Sequence, residues 1–555
     1  MESLSKACTG ATTSRRWFLL LLVFVVIWFG NIEYRKLIEP DEGRYAEIPR
    51  EMVASGDWVT PRLNNLKYFE KPPMQYWATA AAYTVFGEHQ WTSRLWTALT
   101  GLAGVLLTWF VGARLFGSSA GRYAALLLGS SFLYVLMSHI NTLDMGVTFF
   151  ITLGIFSMLL AQSGNESLRS RWMWLAWAAL ALAVLSKGLM GLVLPGAALV
   201  IYSVIQRDFA LWKKMNLVTG LLLCLLICAP WFYLVRKANP EFFERFFIYE
   251  HYTRFTTKVH GRYQPWYYFI PILLLGMMPW TILMFDALLR TWKGIAARAG
   301  NSFNPERFLL VWIVFVYVFF SISSSKLPSY LLPMFPALAL LMGKQLAEMS
   351  EQRLFWLIAP LLPVIALALG LAPFTARLAD TPQQEQMYGE YSVWLVAASL
   401  VWLLGMVASL VLLRRRNKPV AVLVLALGSL LAAQLGTSGY NTIAKERSAY
   451  LIADAIRPYA KADEPFYSIQ TYDQTLPFYL KRTFTLVAYQ DEMAFGIMQE
   501  PERWIPDFAS FAKVWQAQPA ALAIMRTETY PQFEQHGLAM KIIYKDVQNI
   551  VVSKP

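Results

Sequence analysis

The sequence predicts a polytopic α-helical membrane protein with about 13 transmembrane helices and a small α/β domain in its C-terminal part. Hydrophobic residues make up 56% of the 555 residues, whereas soluble proteins contain roughly 45–50%. Charged residues make up 15%, against about 25% in soluble chains. Apolar stretches recur near the length of about 20 residues that crosses the hydrocarbon core of a bilayer. A set of soluble domains is therefore excluded as the main architecture.

Thirteen apolar stretches are long enough to be predicted as spans. Lys6, Arg15 and Arg16 precede the first stretch, and no small-residue cleavage site follows it, so we interpret it as a retained anchor. The predicted spans are 17–37, 94–116, 120–138, 144–162, 172–186, 188–206, 216–234, 266–289, 307–323, 328–347, 354–374, 391–413 and 419–438.

Positive charge is unevenly distributed between the loops on the two sides of the membrane. With a cytoplasmic N-terminus, the short loops on the opposite side contain only Lys187, Lys326 and Arg377. This asymmetry follows the positive-inside rule and puts the C-terminal part outside. The net charge of +13 is therefore interpreted as an orientation signal and not as a nucleic-acid-binding surface. The cation-rich loops are 114–122, 163–171, 207–215, 290–307, 344–353 and 414–418.

Three segments on the predicted outside are longer than a connection between helices requires, and long loops are usually functional. Loops 38–93 and 235–265 belong to a predicted transmembrane catalytic domain, 1–439, and the first of them contains predicted interfacial helices. Segment 440–555 alternates period-2 apolar stretches with helical ones, which is typical of a small α/β domain. The strand-like stretches begin at Phe466, Phe484, Ala521 and Met540, and the helical stretches are 442–459 and 507–517.

Three carboxylates lie where predicted spans meet the outside. Asp41 and Glu42 follow Pro40, which ends helical geometry, and Gly43 permits a tight turn that aims them toward the membrane surface. Asp144 begins the fourth span on the same side. Such carboxylates suit general-base, metal-binding or cation-stabilising chemistry. The alternative is that Asp41 and Glu42 form a solvated cap and that Asp144 only caps its helix.

Basic and aromatic residues near the same surface predict contacts with a phosphate. Lys71 follows Glu70 and precedes two prolines, and it either reaches a phosphate or extends beside anionic lipid. Lys326 and Tyr330 lie at the outside mouth of a helix that prolines interrupt. Because interrupted helices at membrane depth usually line a cavity, these residues predict a cavity at the outside surface.

Loop 235–265 combines basic residues with two histidines. Its arginines and lysine fit a phosphate clamp at a lipid surface. Two histidines and a carboxylate such as Glu70 can bind a divalent metal, although the nine-residue spacing of the histidines is not a recognised ligand pattern. The sequence does not decide whether this loop binds a metal ion. The loop residues concerned are Glu250, His251, Arg254, Lys258, His260 and Arg262.

Five motifs together resemble those of a known family, the GT-C glycosyltransferases that use polyprenyl-phosphate sugars. Within it, the chain looks like the bacterial lipid A 4-amino-4-deoxy-L-arabinose transferases, which are related to protein O-mannosyltransferases. The first two motifs are long and specific, and the similarity extends over the span pattern and the C-terminal domain. The motifs are EPDEGRYAEIPREM at 39–52, GDWVTPRLNNLKYFEKPP at 56–73, HINTLD ending at Asp144, SKG at 186–188 and SKLPSYLLP at 325–333.

The resemblance implies GT-C architecture and transfer of 4-amino-4-deoxy-L-arabinose from undecaprenyl phosphate to lipid A phosphates. It implies a multi-pass inner-membrane protein with a periplasmic active site and C-terminal domain, and resistance to polymyxin as the consequence. It also implies Asp41 and Asp144 as essential carboxylates, to which we add Glu42. The residues predicted to bind the donor phosphate are Lys71, Arg44, Tyr68, Arg254, Lys326 and Tyr330, and the optional metal ligands are Glu70, His251 and His260.

The predicted partners are the lipid-linked sugar donor, lipid A and membrane lipids, without nucleic acid, and the chain is expected to be a monomer. No cofactor is required unless a divalent metal such as zinc is bound. Two alternatives remain open. A protein O-mannosyltransferase-like enzyme would use Asp41 as a general base toward a hydroxyl acceptor. A flippase for lipid-linked sugars would typically place its charged site near the membrane midplane, between inverted repeats.

Overall fold

The structure, a computed structural model, describes residues 21–164, 166–253, 264–296, 303–461 and 463–554. Nine helices in these ranges are long and apolar enough to cross a membrane, and two bent helix pairs raise the number to 11. The predicted polytopic helical fold is therefore confirmed. The nine are Gln90–Phe116, Leu143–Ser163, Glu166–Lys187, Leu217–Ala238, Pro305–Ile322, Pro328–Glu348, Glu351–Leu378, Pro382–Arg414 and Lys418–Glu446.

The remaining predicted spans correspond to shorter or bent helices. Helix Met190–Gln206 matches span 188–206, and the first predicted span is helical over residues 21–29 of its described part. Spans 120–138 and 266–289 are each two helices, which meet at 67° and 103°. Pro279 lies in the second break, where it cannot supply the amide that a continuous helix requires. These bent pairs are Ser118–Leu128 with Phe132–Ser138 and Phe269–Gly276 with Thr281–Ala296.

Ion pairs at one end of the helices join loops that the sequence predicts on the same side. Lys344 pairs with Glu306 at 2.7 Å, and Arg353 pairs with Asp286. All four residues lie in or beside loops that are predicted to be cytoplasmic. Glu306 begins helix Pro305–Ile322, whose opposite end reaches the cavity described below. The cation-rich loops and the cavity therefore lie at opposite ends of the helices.

Peripheral helices present apolar side chains to their surroundings. Val218, Leu222 and Leu226 of helix Leu217–Ala238 are each more than half exposed. Helix Leu143–Ser163, in contrast, is buried by its neighbours along most of its length. Apolar surface of this extent is unfavourable in water, at about 25 cal/mol per Å², and it is the surface that lipid tails cover.

Segment 38–93, the first loop predicted to lie outside and called the first outside loop below, folds into two helices and a hairpin. Helix Asp41–Ser55 begins directly after the proline, and Gly43 lies within its first turn. The tight turn predicted at Gly43 is therefore wrong, because the helix itself directs the carboxylates. Strands β1 (Arg62–Leu63) and β2 (Leu66–Lys67) pair antiparallel, and helix Met74–Phe86 follows.

The C-terminal part contains a six-stranded sheet, which confirms its predicted α/β character. The strands are β3 (Phe466–Ile469), β4 (Thr485–Val487), β5 (Trp504–Ile505), β6 (Leu522–Arg526), β7 (Lys541–Lys545) and β8 (Asn549–Ser553). Their order is β5-β4-β3-β6-β8-β7, parallel from β5 to β6 and antiparallel at β8. The sequence does not predict β5 and β8, and β5 has only two residues. The helices around the sheet are Tyr450–Ile456, Leu476–Leu480, Ala494–Gln499, Phe508–Ala517 and Tyr530–Gln535.

The first outside loop and the C-terminal sheet share one hydrophobic core. Tyr45 and Ile48 of helix Asp41–Ser55 belong to the same buried cluster as Phe466 and Ile524 of the sheet. Hydrogen bonds add to this contact, because Asn64 in the β1–β2 turn bonds both backbone groups of Phe484, at 2.7 and 2.8 Å. The sheet therefore helps to set the position of the helix that begins with Asp41.

Candidate functional site

Charged residues from separate parts of the chain meet in one cavity, at the end of the helices opposite the cation-rich loops. The cavity has a volume of about 210 Å³. Apolar side chains, among them Met190, Phe319 and Phe320, line it together with a group of charged residues. A cavity beside the interrupted helix agrees with the sequence prediction. Its charged lining residues are Asp41, Arg44, Glu70, Lys71, Asp144, Lys187 and Glu250.

Asp41 and Arg44 line the cavity, and Arg44 also contacts the C-terminal domain. They lie one helical turn apart, and the Arg44 guanidinium donates a hydrogen bond to Asp41 at 3.2 Å. A second guanidinium nitrogen of Arg44 lies 2.7 Å from the Glu492 carboxylate. Burial disfavours the charge of Arg44, yet negative charge beside it, from Glu492 above all, raises its pKa above the ordinary value. Arg44 therefore remains a permanent cation next to Asp41.

Asp144 pairs with Lys187, and both residues line the same cavity. The Lys187 ammonium also lies 4.9 Å from the centre of the Tyr330 ring, which is a cation–π distance. Lys187 is not among the residues predicted for the site. A signal for it exists, because a single lysine between two apolar spans is an ionisable residue at membrane depth, where such residues usually have a function.

Lys71 reaches the cavity from the first outside loop. Its ammonium donates a hydrogen bond to the backbone carbonyl of Glu70 at 2.9 Å and lies 4.0 Å from the Glu250 carboxylate. Glu250 is almost completely buried and also pairs with Arg245 at 3.3 Å. Lys71 is therefore held at the cavity by groups from two separate segments of the chain, 38–93 and 235–265.

Glu42 does not line the cavity, so its assignment as a catalytic carboxylate is corrected. It accepts two hydrogen bonds from the Arg94 guanidinium, at 2.7 and 2.9 Å, and lies 3.7 Å from Arg35. The backbone amide of Asn141 also donates to it at 3.1 Å. Burial alone would raise the pKa of Glu42, but the two arginines lower it to about 2. Glu42 is a buried structural anion that ties the first loop to helix Gln90–Phe116.

Two residues predicted to bind the donor phosphate lie beside the cavity and not on its wall. Lys326 donates hydrogen bonds to the backbone carbonyls of Gln264, at 2.8 Å, and Ser323. Tyr68 is buried, with its ring 5.8 Å from the Arg44 guanidinium. Burial raises the pKa of Tyr68 well above its ordinary value, so its hydroxyl stays protonated. Their positions favour a supporting role, whereas Tyr330 and Arg44 do line the cavity.

Two buried hydroxyl groups on the cavity wall have no hydrogen-bond partner among the described residues. They belong to Thr142 and Ser325. A buried hydroxyl without a partner costs free energy, about 1–3 kcal/mol in proteins. These two hydroxyl groups can therefore donate hydrogen bonds to a polar ligand in the cavity.

Part of the predicted site lies outside the described residues. Arg254 and His260 belong to this part, and the side chain of His251 is also not described. Within the described ranges, no group of three or more histidine, cysteine, aspartate or glutamate side chains is arranged to hold a metal ion. The metal site of Glu70, His251 and His260 stays a prediction.

Comparisons with known sequences give two family matches. Residues 452–554 match the family described as aminoarabinose transferase C-terminal domain, and residues 70–234 match the dolichyl-phosphate-mannose-protein mannosyltransferase family. A curated relative from Edwardsiella ictaluri, named undecaprenyl phosphate-alpha-4-amino-4-deoxy-L-arabinose arabinosyl transferase, is 32% identical over 340 residues. A relative of the same name from Pseudomonas aeruginosa is 33% identical over 344 residues. Each alignment covers 60% of this chain and 60% of the relative.

Two solved structures are similar over almost the entire chain. The crystal structure of ArnT from Cupriavidus metallidurans bound to undecaprenyl phosphate has a TM-score of 0.92 and 37% sequence identity. The match covers 97% of this chain and 98% of that protein. The apo structure of the same protein has a TM-score of 0.91, with coverage of 99% and 98%.

Proposed function

This chain belongs to the aminoarabinose transferase family, and from this premise we propose that it transfers 4-amino-4-deoxy-L-arabinose from undecaprenyl phosphate to a phosphate group of lipid A. The observation that carries the proposal is the cavity in which Asp41 and Asp144 meet Arg44, Lys71 and Lys187. A phosphate-linked donor and a phosphate acceptor need cations, and a positively charged transition state needs carboxylates.

The cavity has the two kinds of lining residue that lipid substrates require. Met190, Phe319 and Phe320 provide apolar contacts, and the charged residues line the same cavity. Extracting a prenyl or acyl chain into water costs about 0.8 kcal/mol per CH₂ group. A site at the ends of membrane helices avoids that cost, because the chains stay in apolar surroundings while the phosphates reach the charged residues.

In the proposed reaction, a phosphate oxygen of lipid A attacks the anomeric carbon of the sugar. The bond between that carbon and the undecaprenyl phosphate oxygen breaks, and its electron pair leaves with undecaprenyl phosphate. The acceptor phosphate is largely ionised near neutral pH, because its second pKa is about 6, so it needs little help from a base. Asp41 orients the acceptor and stabilises positive charge on the sugar, and Asp144 lies in the same cavity, paired with Lys187.

We expect Lys71→Ala to weaken binding of undecaprenyl phosphate by about tenfold, the effect of losing one charge-assisted contact of about 1.4 kcal/mol. The reason is that Lys71 is a cation fixed at the cavity wall. Titration of the purified protein with undecaprenyl phosphate measures this. Lys481→Ala is the control, because Lys481 pairs with Glu88 on the exposed surface. Unchanged affinity in Lys71→Ala would mean that Lys71 only extends beside lipid.

The charge of the loops indicates how the chain is oriented in the membrane. We infer that the cation-rich loops are cytoplasmic and that the cavity and the C-terminal domain are periplasmic, in the inner membrane. A monomer remains our expectation. A divalent ion at Glu70, His251 and His260 is compatible with this proposal and is not needed by the steps above.

Mass spectrometry of lipid A tests the function directly. Cells that produce this chain together with a supply of the donor should contain lipid A heavier by one aminopentose, and cells that carry an empty vector should not. The match of residues 70–234 to mannosyltransferases supports one alternative, transfer to a protein hydroxyl. Unmodified lipid A together with newly glycosylated protein would favour that alternative.

A further inference from the structure

The C-terminal domain contacts the helix that begins with Asp41 at a distance that excludes a side chain. Gly43 lies in the first turn of this helix, and a Cβ atom at Gly43 would lie 2.5 Å from the backbone carbonyl carbon of Gln474. Real Cβ atoms do not approach other atoms so closely, and the neighbour here is backbone, which cannot rotate away. The contact holds Asp41 and the C-terminal domain at one fixed spacing.

From Gln474, a series of side-chain contacts leads back to Asp41. The Gln474 amide donates a hydrogen bond to one carboxylate oxygen of Glu492. The other oxygen of Glu492 lies 2.7 Å from Arg44, and Arg44 lies 3.2 Å from Asp41. Among these four residues Asp41 has the most exposed side chain, at 38%, whereas those of Arg44 and Glu492 are 9% and 10% exposed. The series therefore runs from the buried interior of the C-terminal domain to a carboxylate in the cavity.

The two carboxylates contact different nitrogens of one guanidinium. Nη1 of Arg44 faces Asp41, and Nη2 faces Glu492. The guanidinium group is planar and rigid, so a contact at one nitrogen fixes the direction of the other. Without the charge of Glu492, Nη2 of Arg44 loses its ionic partner, and the guanidinium loses one of the two contacts that set its orientation beside Asp41.

We propose that Glu492 is a positioning residue for the transfer reaction, which it supports by holding Arg44 in the orientation that fixes Asp41. The C-terminal domain then completes the active site and does not merely cover it. The inference rests on the proposed function, because it concerns the same reaction.

The test compares two carboxylates of the C-terminal domain that pair with arginines of the first outside loop. Glu492 pairs with Arg44, and Glu500 pairs with Arg62 at 2.9 Å, away from the cavity. Their side chains are similarly buried, at 10% and 12%. If Glu492 only holds the two parts of the protein together, then Glu492→Gln and Glu500→Gln should have the same effects.

The assay uses the full chain in lipid nanodiscs, with undecaprenyl phosphate-linked aminoarabinose and lipid A as substrates. We expect Glu492→Gln to lower kcat by about tenfold, since small errors in position cost this much or more, with donor KM and the thermal transition unchanged. Glu500→Gln should keep wild-type kcat. A wild-type kcat in Glu492→Gln, or equal losses in both variants, would overturn the inference. No transfer by the wild-type protein would instead contradict the proposed function and the inference together.

A double-mutant cycle tests whether Glu492 acts through Arg44. Adding Glu492→Gln to Arg44→Ala should reduce kcat by less than about twofold further, because the contact is already lost. Independent, multiplicative losses would contradict the inference. If Glu492→Gln does not fold, Glu492→Asp replaces it, since it keeps the charge but retracts it by one methylene. It should give an intermediate kcat, and a wild-type kcat would overturn the inference.

Discussion

Asp41→Asn should abolish measurable sugar transfer while the protein still folds and inserts into the membrane. The substitution keeps the shape of the side chain and removes its negative charge. Because that charge is proposed to stabilise the positively charged sugar in the transition state, we expect kcat to fall by about 10²–10³-fold. The Asp41 side chain is 38% exposed toward the cavity, so its loss costs little packing.

Single-turnover kinetics with purified protein measures the loss, and the thermal transition verifies folding. Asp454→Asn is the matched control, because Asp454 is an exposed aspartate of the C-terminal domain that pairs with Arg457 at 3.5 Å. The control should transfer sugar at the wild-type rate. Near-normal product formation by Asp41→Asn would remove Asp41 from the reaction and would favour a structural role of its pair with Arg44.

Glu42→Gln, one residue away, should destabilise the protein by about 3–5 kcal/mol, the usual effect of removing one partner from a buried ion pair. The substitution leaves the Arg94 and Arg35 charges buried without their carboxylate. We expect a lower thermal transition in detergent and less protein in the membrane. Substitutions of these two adjacent carboxylates should therefore have different effects, since Asp41→Asn loses activity and Glu42→Gln loses stability.

The stability of the protein should depend on pH because the pKa of Glu42 is lowered to about 2, below the ordinary value of about 4.3. Its stabilising contribution is complete above the ordinary pKa and is lost as the pH falls toward 2. Glu42→Gln should lack this acid-dependent part of the stability.

The control for Glu42→Gln is Glu390→Gln, which breaks an exposed pair with Lys445. This substitution should lower the free energy of unfolding by less than about 1 kcal/mol. Equal thermal transitions in both variants would contradict the structural role of Glu42.

Most of the membrane architecture was predictable from the sequence. Span length and hydropathy depend on the thickness of the bilayer and on local composition, so each predicted span overlaps a described helix. Breaks such as the one at Pro279 were not predicted, because apolar composition continues across them. The strands that the sequence misses, such as Trp504–Ile505, depend on pairing with distant neighbours.

The candidate site was predictable in part, for the same reason. Asp41, Lys71 and Asp144 were predicted to lie at one surface because each is a charged residue at a predicted membrane boundary, and all three line the cavity. The sequence did not separate Asp41 from Glu42. Their difference depends on Arg94, which is 52 positions from Glu42 and buries its carboxylate.

The sequence alone therefore determined the helical membrane fold, the α/β character of the C-terminal part and the surface where the chemistry is proposed, because these depend on local composition and chain length. The pairing of Asp144 with Lys187, and of Arg44 with Glu492, appeared only in the folded structure. These residues are far apart in the chain, and no local pattern encodes which distant segments pack together. The close contact of Gly43 with Gln474 belongs to the same class: it requires glycine because of a neighbour more than 400 residues away.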